Sequence, residues 1–240
     1  MGRVIVLGID TATNHLSIAL GSETGPIADL RVAGPGKQDG LVPQIDHLLA
    51  SSGLELGQLG GIAVGIGPGL YTGLRVGVEV AKTLAQVQHL PIVGMASLDI
   101  LGFAVRTSRR LIAAVLDARR GEVFVGFYRS VPGGVVREGP YEVVPPHALA
   151  AELEARAEDV LLVGDGAILY RDVLERPGTR AAFAPAALAH PWASALVEVA
   201  VPRFIREETD RLTDVVPLYL RKTDAEIAWD HRARGPAARG

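Results

Sequence analysis

Short apolar runs and helical periods alternate along the first hundred residues and predict an α/β protein. Three strand-like runs, Val4–Asp10, His15–Gly21 and Ile27–Val32, are separated by turn-forming residues. Apolar residues at helical spacing predict a helix over Leu41–Ser52, which Gly53 would end as a C-cap. A strand, a helix, a strand and a helix follow, with predicted bounds Ile62–Gly65, Tyr71–Gln88, Pro91–Gly94 and Leu98–Val105.

The second half of the chain repeats the pattern of the first. Val4–Asp10 and Leu111–Asp117 are both apolar strands that end in Asp, and each is followed by another strand. Ile62–Gly65 and Leu161–Gly164 are both apolar strands before a glycine-containing bend. Chance similarity of two α/β units is the alternative to duplication. The prediction is two related α/β halves, residues 1–105 and 106–225, followed by a disordered tail over residues 226–240.

Two such halves, each opening with strand, turn and strand, resemble the architecture of actin, hexokinase and the heat-shock chaperone ATPases. This resemblance implies the actin/hexokinase-like ATPase (ribonuclease H-like) fold. In that fold phosphates lie in the cleft between the halves, where such turns hold them.

Composition narrows the function. The chain has 240 residues, 48% of them hydrophobic and 21% charged, so it can bury a sizeable core. It has no cysteine, which excludes disulfides and thiolate metal sites and favours a reducing, cytoplasmic location. No run approaches the roughly 20 apolar residues of a membrane helix. The net charge of −3 offers nucleic acid no overall attraction, so any contact with RNA has to be local or made by a partner.

Candidate chemistry lies at the two strand ends and in the glycine-rich segment Gly65–Gly77. An Asp at the carboxyl end of a strand can hold Mg²⁺, although it can equally hydrogen-bond its own turn. The glycine-rich segment lacks the lysine of a Walker A loop, but a helix beginning after it can bind an anion. ATP or ADP with Mg²⁺ is therefore the only cofactor considered, bound weakly and not firmly predicted. The candidate nucleotide contacts are Asp10, Thr11, Gly67, Gly69 and Asp117.

The helix that follows carries a stripe of small residues. Gly73, Gly77, Ala81 and Ala85 fall four residues apart, which lets another helix approach closely. Either a second subunit or this chain's own helix Leu41–Ser52 would cover the apolar circumference.

The chain lacks the commoner catalytic and metal motifs. None of its six histidines lies three or four residues from another, and there is no Gly-x-Ser-x-Gly elbow. We therefore expect no resident metal, and no catalytic residue is predicted.

Four segments together resemble the bacterial TsaB (YeaZ) family. They are Ile9–Thr13, Gly67–Gly77, Leu116–Arg119 and Pro217–Arg221. The family pattern usually has Ser-Phe where this chain has Leu70-Tyr71. The resemblance implies a helper subunit without confirmed catalysis, which supports the paralogous catalytic subunit TsaD and the ATPase TsaE. Together these proteins place a threonylcarbamoyl group on N6 of the adenosine 3′ of the anticodon in tRNAs that read ANN codons.

The paralogue TsaD carries a His-x-x-x-His metal motif after the next strand, where this chain has Gly94–Asp99 without histidine. The resemblance also implies pairing through the helices on either side of the glycine-rich loop, with tRNA reached only through the complex. A homodimer is the alternative assembly. The predicted interface residues are Leu41, Ile45, Leu48, Gly73, Leu74, Arg75, Gly77, Val78 and Ala81.

Two other functions remain to be weighed. A small phosphotransferase of the acetate- or sugar-kinase type would use Asp10 in the cleft between the halves, but the second half offers no clear glycine-rich adenosine loop. The name glycoprotease is attached to this superfamily. A protease function is not supported, because the sequence has neither a metal-binding histidine pair nor a nucleophile motif. The helper subunit is the favoured prediction.

Overall fold

The computed structural model describes residues 4–34, 40–176, 178 and 180–221, which form two mixed β-sheets flanked by helices. The first sheet has the strand order β3-β2-β1-β4-β5. Its first three strands are antiparallel neighbours, and β4 and β5 run parallel to β1. Its elements are β1 (Val6–Asp10), β2 (His15–Ser22), β3 (Gly25–Ala33), α1 (Leu41–Ser51), a 3₁₀ turn (Leu56–Gln58), β4 (Gly61–Gly67), α2 (Tyr71–Val87) and β5 (Ile92–Ala96).

The second sheet has the strand order β10-β9-β6-β7-β8. Its elements are β6 (Leu111–Arg119), β7 (Glu122–Val131), β8 (Gly134–Val144), α4 (Pro146–Arg156), β9 (Val160–Val163), α5 (Asp165–Leu169), α6 (Arg171–Leu174), β10 (Ala181–Phe183) and a 3₁₀ turn (Ala186–Leu188). Helix α3 (Ser97–Ala104) follows β5, and helix α7 (Ala193–Ile205) follows the 3₁₀ turn Ala186–Leu188.

The two sheets share one topology. When the second order is reversed, β8-β7-β6-β9-β10 matches β3-β2-β1-β4-β5 strand for strand, with the same antiparallel and parallel neighbours. Asp10 ends the central strand of the first sheet, and Asp117 lies near the end of the central strand of the second. The predicted duplication of an α/β unit is therefore confirmed.

Burial follows from the place of each strand in its sheet. β1 is buried along its whole length because it is central and has helices on both faces. β3, at the edge, alternates between half-buried and exposed residues. One face of the first sheet packs against α1 and α2, and the other packs against α3 and α7. Among the described residues, no helix is long and apolar enough to cross a bilayer.

Helices α3 and α7 join the two halves. α3 contributes Ile100 to the core of the first sheet and Leu98 to that of the second, so it lies between them. α7 follows the second sheet in sequence but packs on the first, where Val197 contacts β1 and β2. The sequence-based division assigned residues 106–225 to the second half, whereas the structure packs α7 on the first sheet.

The segment after α7 also returns to the first half. Asp210 forms an antiparallel bridge beside β5, and the backbone N–H of Leu218 donates to the carbonyl oxygen of Ile66 at 2.7 Å. Arg221 then pairs with Glu122 of the second sheet at 3.1 Å. Residues 206–221 therefore connect the far edge of the first sheet to the second. The predicted tail over residues 226–240 lies outside the described residues.

The small-residue stripe of α2 faces this chain's own sheet. Gly73, Gly77, Ala81 and Ala85 are all buried. The Thr11 hydroxyl donates to the carbonyl oxygen of Gly73 at 2.7 Å, and a Cβ at Gly77 would lie 2.1 Å from that hydroxyl oxygen. The stripe therefore does not stand open for a second subunit, which was one of the two alternatives that the sequence left, and this chain's own sheet and turn cover it. The absence of Cβ atoms instead lets α2 approach the turn after β1.

We expect Gly77→Ala to destabilise the monomer. Alanine normally favours a helix over glycine by about 1 kcal/mol. Here its methyl group would overlap the Thr11 hydroxyl, and overpacking typically costs about 1–3 kcal/mol. Thermal and urea unfolding of the purified chain measure the difference. Thr83→Ala, at an exposed position of the same helix, is the control and should be neutral or slightly stabilising. A Gly77→Ala protein at least as stable as wild type would contradict this packing.

Candidate functional site

The turn between β1 and β2, residues 11–14, is where the fold would hold a phosphate in the first half. In this chain the segment that leads into α2 lies directly on it. The backbone N–H of Leu70 donates to the carbonyl oxygen of Ala12 at 2.7 Å. A Cβ at Gly69 would lie 2.2 Å from that same oxygen. The turn is therefore in contact with the chain's own backbone.

Asp10, at the start of this turn, has both carboxylate oxygens engaged. Oδ1 accepts the backbone N–H of Ala12 at 3.0 Å, and Oδ2 accepts the Ser97 hydroxyl at 2.9 Å. The side chain is 1% exposed. Burial raises the pKa of Asp10 to about 6, although both hydrogen bonds act to lower it. Asp10 thus joins β1 to the start of α3 and does not point into solvent.

Gly65 makes this arrangement possible. A Cβ at Gly65 would lie 1.9 Å from Oδ2 of Asp10, closer than any real contact. The neighbouring strand β4 therefore has to carry glycine beside the aspartate. The glycine-rich segment gives backbones room to approach one another, and in the first half that room is taken by the chain itself.

The structure brings three of the five predicted nucleotide residues together. Asp10 ends β1, Thr11 begins the turn and Gly69 packs on it, whereas Gly67, at the end of β4, faces Leu74 and Leu218. A nucleotide phosphate or Mg²⁺ could reach Asp10 only if the residues that bury it moved apart, since it is 1% exposed.

Asp117, the fifth predicted residue, lies in the second half with partners of its own. Its Oδ1 accepts the backbone N–H of Arg119 at 2.9 Å, and its Oδ2 pairs with the Arg119 guanidinium at 3.2 Å. Its backbone N–H donates to Oδ1 of Asp165 at 2.9 Å. Arg119 therefore folds back onto Asp117 and partly neutralises it.

Sequence reasoning missed a cluster of His15, Asp165 and His190. The imidazole rings of His15 and His190 stack with centroids 3.6 Å apart, and Nδ1 of His190 lies 3.8 Å from Oδ2 of Asp165. The two histidines are 175 positions apart in the chain, so a search for helical spacing does not find them. The cluster joins β2 of the first half to α5 of the second.

Burial sets the charge of this cluster. It raises the pKa of Asp165 to about 6, and it lowers the pKa of His190 to about 4, with His15 adding to the second effect. His190 is therefore neutral at pH 7. Over the ranges that the structure describes, no group of three or more histidine, aspartate or glutamate residues is placed to hold a metal ion.

Most of the predicted interface residues lie in the core. Leu41, Ile45 and Leu48 of α1 are buried, as are the predicted α2 residues other than Arg75, namely Gly73, Leu74, Gly77, Val78 and Ala81. Arg75 alone is exposed, and its guanidinium lies over the ring of Tyr71 at 4.2 Å. The interface itself stays a prediction, but the side chains expected to form it mainly hold these helices on their own sheet.

The same two helices do present apolar groups outward. Val42 of α1 is 54% exposed, and Tyr71 and Val87 of α2 are 40% and 65% exposed. Between them along α2, Val76 and Val80 are half-buried. We call these five residues the outer face of α1 and α2. Polar residues of α2 are exposed between them, among them Thr72, Glu79 and Gln86.

Comparison with known proteins identifies the family. Residues 32–229 match the family model described as "TsaD: tRNA N6-adenosine threonylcarbamoyltransferase". The "tRNA threonylcarbamoyladenosine biosynthesis protein TsaB" of Bacillus subtilis is 32% identical over 228 residues, covering 93% of this chain and 97% of that protein. The protein of the same description from Escherichia coli is 27% identical, covering 93% and 96%.

Solved structures support the same family assignment. YeaZ from Pseudomonas aeruginosa superposes with a TM-score of 0.77 at 28% identity, covering 90% of this chain and all of that one. Component A of the (R)-2-hydroxyglutaryl-CoA dehydratase of Acidaminococcus fermentans superposes with a TM-score of 0.51 at 12% identity, covering 84% and 99%, which shows likeness of fold alone. The architecture is that of the actin/hexokinase-like ATPase fold, and the chain belongs to the TsaB (YeaZ) family.

Proposed function

We propose that this chain is a non-catalytic helper subunit in tRNA threonylcarbamoylation. It pairs with the catalytic subunit TsaD and works with the ATPase TsaE. The product is threonylcarbamoyladenosine at the position 3′ of the anticodon in tRNAs that read ANN codons. The relatives from Bacillus subtilis and Escherichia coli, which cover nearly the whole chain, are described as proteins of threonylcarbamoyladenosine biosynthesis. The site of action is the cytoplasm, where tRNA is modified.

The closed turn after β1 carries the non-catalytic part of this proposal. A phosphotransferase needs Asp10 facing an open cleft, where it can meet a phosphate-bound Mg²⁺. In this chain Asp10 accepts hydrogen bonds from Ser97 and Ala12, and Leu70 bonds to the same turn. Each contact supports a structural role for the aspartate. The kinase alternative therefore has to open this turn before it can bind substrate.

The outer face of α1 and α2 supports the pairing part. Val42, Tyr71 and Val87 expose apolar side chains on it, between exposed polar residues, and the inner faces of both helices are fixed to the sheet. A rigid helix face with apolar side chains suits a partner helix of similar character. The same surface would serve a homodimer when TsaD is absent, so the two assemblies compete for one face.

Reconstitution tests the proposed function directly. Unmodified tRNA incubated with TsaD, TsaE, ATP and the activated threonylcarbamoyl donor should gain threonylcarbamoyladenosine only when this chain is present. The chain alone should modify nothing and should not turn over ATP. Nucleoside mass spectrometry and phosphate release measure the two results. Full modification without the chain, or steady ATP turnover by the chain alone, would contradict the proposal, and the second result would favour the kinase.

The outer face is tested by adding charge to it. Val42→Asp with Val87→Asp should weaken pairing with TsaD by about tenfold or more, because an unpaired carboxylate would be desolvated in the interface. Both positions are largely exposed, so the monomer should melt near wild type. Ile168→Asp with Leu169→Asp adds the same charge to exposed apolar positions of the second half and is the matched control. Sedimentation of mixtures gives the affinities. Equal affinities for all three proteins would exclude this face.

Asp10→Asn separates a structural aspartate from a catalytic one. The raised pKa means that folded Asp10 binds its proton more tightly than the unfolded chain does. Its contribution to the free energy of unfolding therefore falls as pH rises from about 4 to 6. Asparagine removes this dependence. As pH rises from 5 to 7.5, the free energy of unfolding of the variant should therefore increase by on the order of 1 kcal/mol relative to that of wild type.

The Asp10→Asn protein should still support tRNA modification in the reconstituted system. Asp46→Asn, on the exposed side of α1, is the control and should follow the wild-type pH dependence. Parallel stability curves for wild type and Asp10→Asn, together with lost modification, would assign the aspartate a chemical role instead.

A further inference from the structure

A group of arginines lies at the edge of the second sheet where three parallel strands begin. Arg110 immediately precedes β6 and Arg180 immediately precedes β10, with Asp159 at the corresponding place before β9. The register pairs the first residues of all three strands, so these three positions lie side by side. Arg109 adjoins them, and all three arginines are exposed. They line an open cavity of about 560 Å³ together with Arg129 and Glu158.

The charge of this cavity opposes that of the whole chain. Four arginines and two acidic residues line it, which leaves an excess of two positive charges on a protein whose net charge is −3. Glu158 is already engaged, since it pairs with Arg129 at 2.7 Å. Among the residues that the structure describes, no carboxylate lies within ion-pairing distance of the guanidinium groups of Arg109, Arg110 and Arg180. We call these three residues the arginine row.

The backbone positions the arginine row. The Arg180 guanidinium donates to the carbonyl oxygen of Ala157 at 2.7 Å, which orients it and leaves its other N–H groups available. Arg110 is held by its backbone N–H, which donates to the Ser108 hydroxyl at 3.1 Å. With Asp159 between them, the two backbones stand two strand spacings apart, about 9–10 Å. Charges spread over that distance match a polyanion better than one small ion.

We infer that the arginine row is a contact site for the phosphate backbone of RNA. This inference rests on the proposed function, which makes tRNA the substrate of the complex. Guanidinium groups bind phosphate oxygens through two parallel hydrogen bonds, and such contacts hold RNA without reading its sequence. A membrane surface fits less well, because the apolar residues of the cavity are only the buried Leu111 and the small Ala157.

The location of the row suits a subunit that binds two partners at once. The outer face of α1 and α2 belongs to the first half, whereas the arginine row lies in the second. RNA bound to the row would leave that outer face free. The chain would therefore add a tRNA contact of its own, whereas the family resemblance implies only that tRNA is reached through the complex.

The test measures binding of the full-length chain to an unmodified transcript of a tRNA that reads an ANN codon. Fluorescence anisotropy is recorded between about 50 and 200 mM salt. Arg109→Gln, Arg110→Gln and Arg180→Gln together should weaken binding by about tenfold or more at low salt, and the slope of log K against log salt should fall by about two to three.

A matched control removes the same charge elsewhere. Arg31→Gln, Arg171→Gln and Arg206→Gln together change the net charge equally, but each of these arginines pairs with a neighbouring carboxylate. Binding by the control should stay within about twofold of wild type. If Arg180→Gln impairs folding, the double variant Arg109→Gln with Arg110→Gln keeps the test valid, because both residues are exposed before β6. Thermal melting checks each protein.

Several results would overturn the inference. The first is that the arginine-row variant and its control weaken tRNA binding equally, and the second is that wild type does not bind tRNA at the lowest salt. The third is that equimolar inorganic phosphate displaces the tRNA. The fourth is that the arginine row binds phosphatidylserine vesicles more tightly than tRNA. Pairing with TsaD is measured on the same proteins without RNA. Wild type that binds tRNA through the row but fails to pair would sink the proposed function alone, whereas normal pairing without tRNA binding would sink the arginine site alone.

Discussion

The close approach of α2 to the turn after β1 is the contact on which the first half depends. The Thr11 hydroxyl reaches the carbonyl oxygen of Gly73 only because Gly77 offers no Cβ to hold the helix away. The same approach places Leu70 over the turn and leaves Asp10 buried behind it. One packing requirement thus fixes the helix, closes the turn and removes the aspartate from solvent. A kinase of this fold would need the opposite arrangement.

This contact also explains why the inner and outer sides of α2 have different roles. Small buried residues hold the helix on its sheet, so no side chain on that side is free to meet a partner. Val76 and Val80 still pack partly against the core, whereas Val87 is largely exposed, so under the proposed function it is Val87 that this helix offers most openly to a partner. A sequence pattern records that the helix is apolar over most of its circumference. It does not record which side meets the sheet, since glycine and valine are both common in cores.

The fold was largely predictable because strands and helices have different hydrophobic periods, and because the strand ending in Asp10 is repeated before Asp117. The return of α7 to the first sheet was not predictable, because an amphipathic helix fits either sheet equally well. The candidate site divided in the same way. Local motifs were enough to single out Asp10 and Gly69, which the structure places at one turn, whereas the stacking of His15 on His190 depends on tertiary folding across 175 positions. The glycine-rich segment did not predict its own role, because glycine allows close approach of a phosphate or of another backbone segment equally well.

Net charge alone says little about local contact with nucleic acid, for a physical reason. At physiological salt the screening length is about 8 Å, so a phosphate at the edge of the second sheet responds to charges beside it and hardly to those across the molecule. The excess of acidic residues over the whole chain therefore changes the electrostatic potential at Arg109, Arg110 and Arg180 only slightly. Their effect depends on how far local carboxylates neutralise them. Glu158 is already paired with Arg129, which leaves Asp159 as the one acid of the cavity lining beside three arginines. A protein with a net negative charge can thus present a basic edge to RNA, provided that arginines outnumber unpaired acids at that edge.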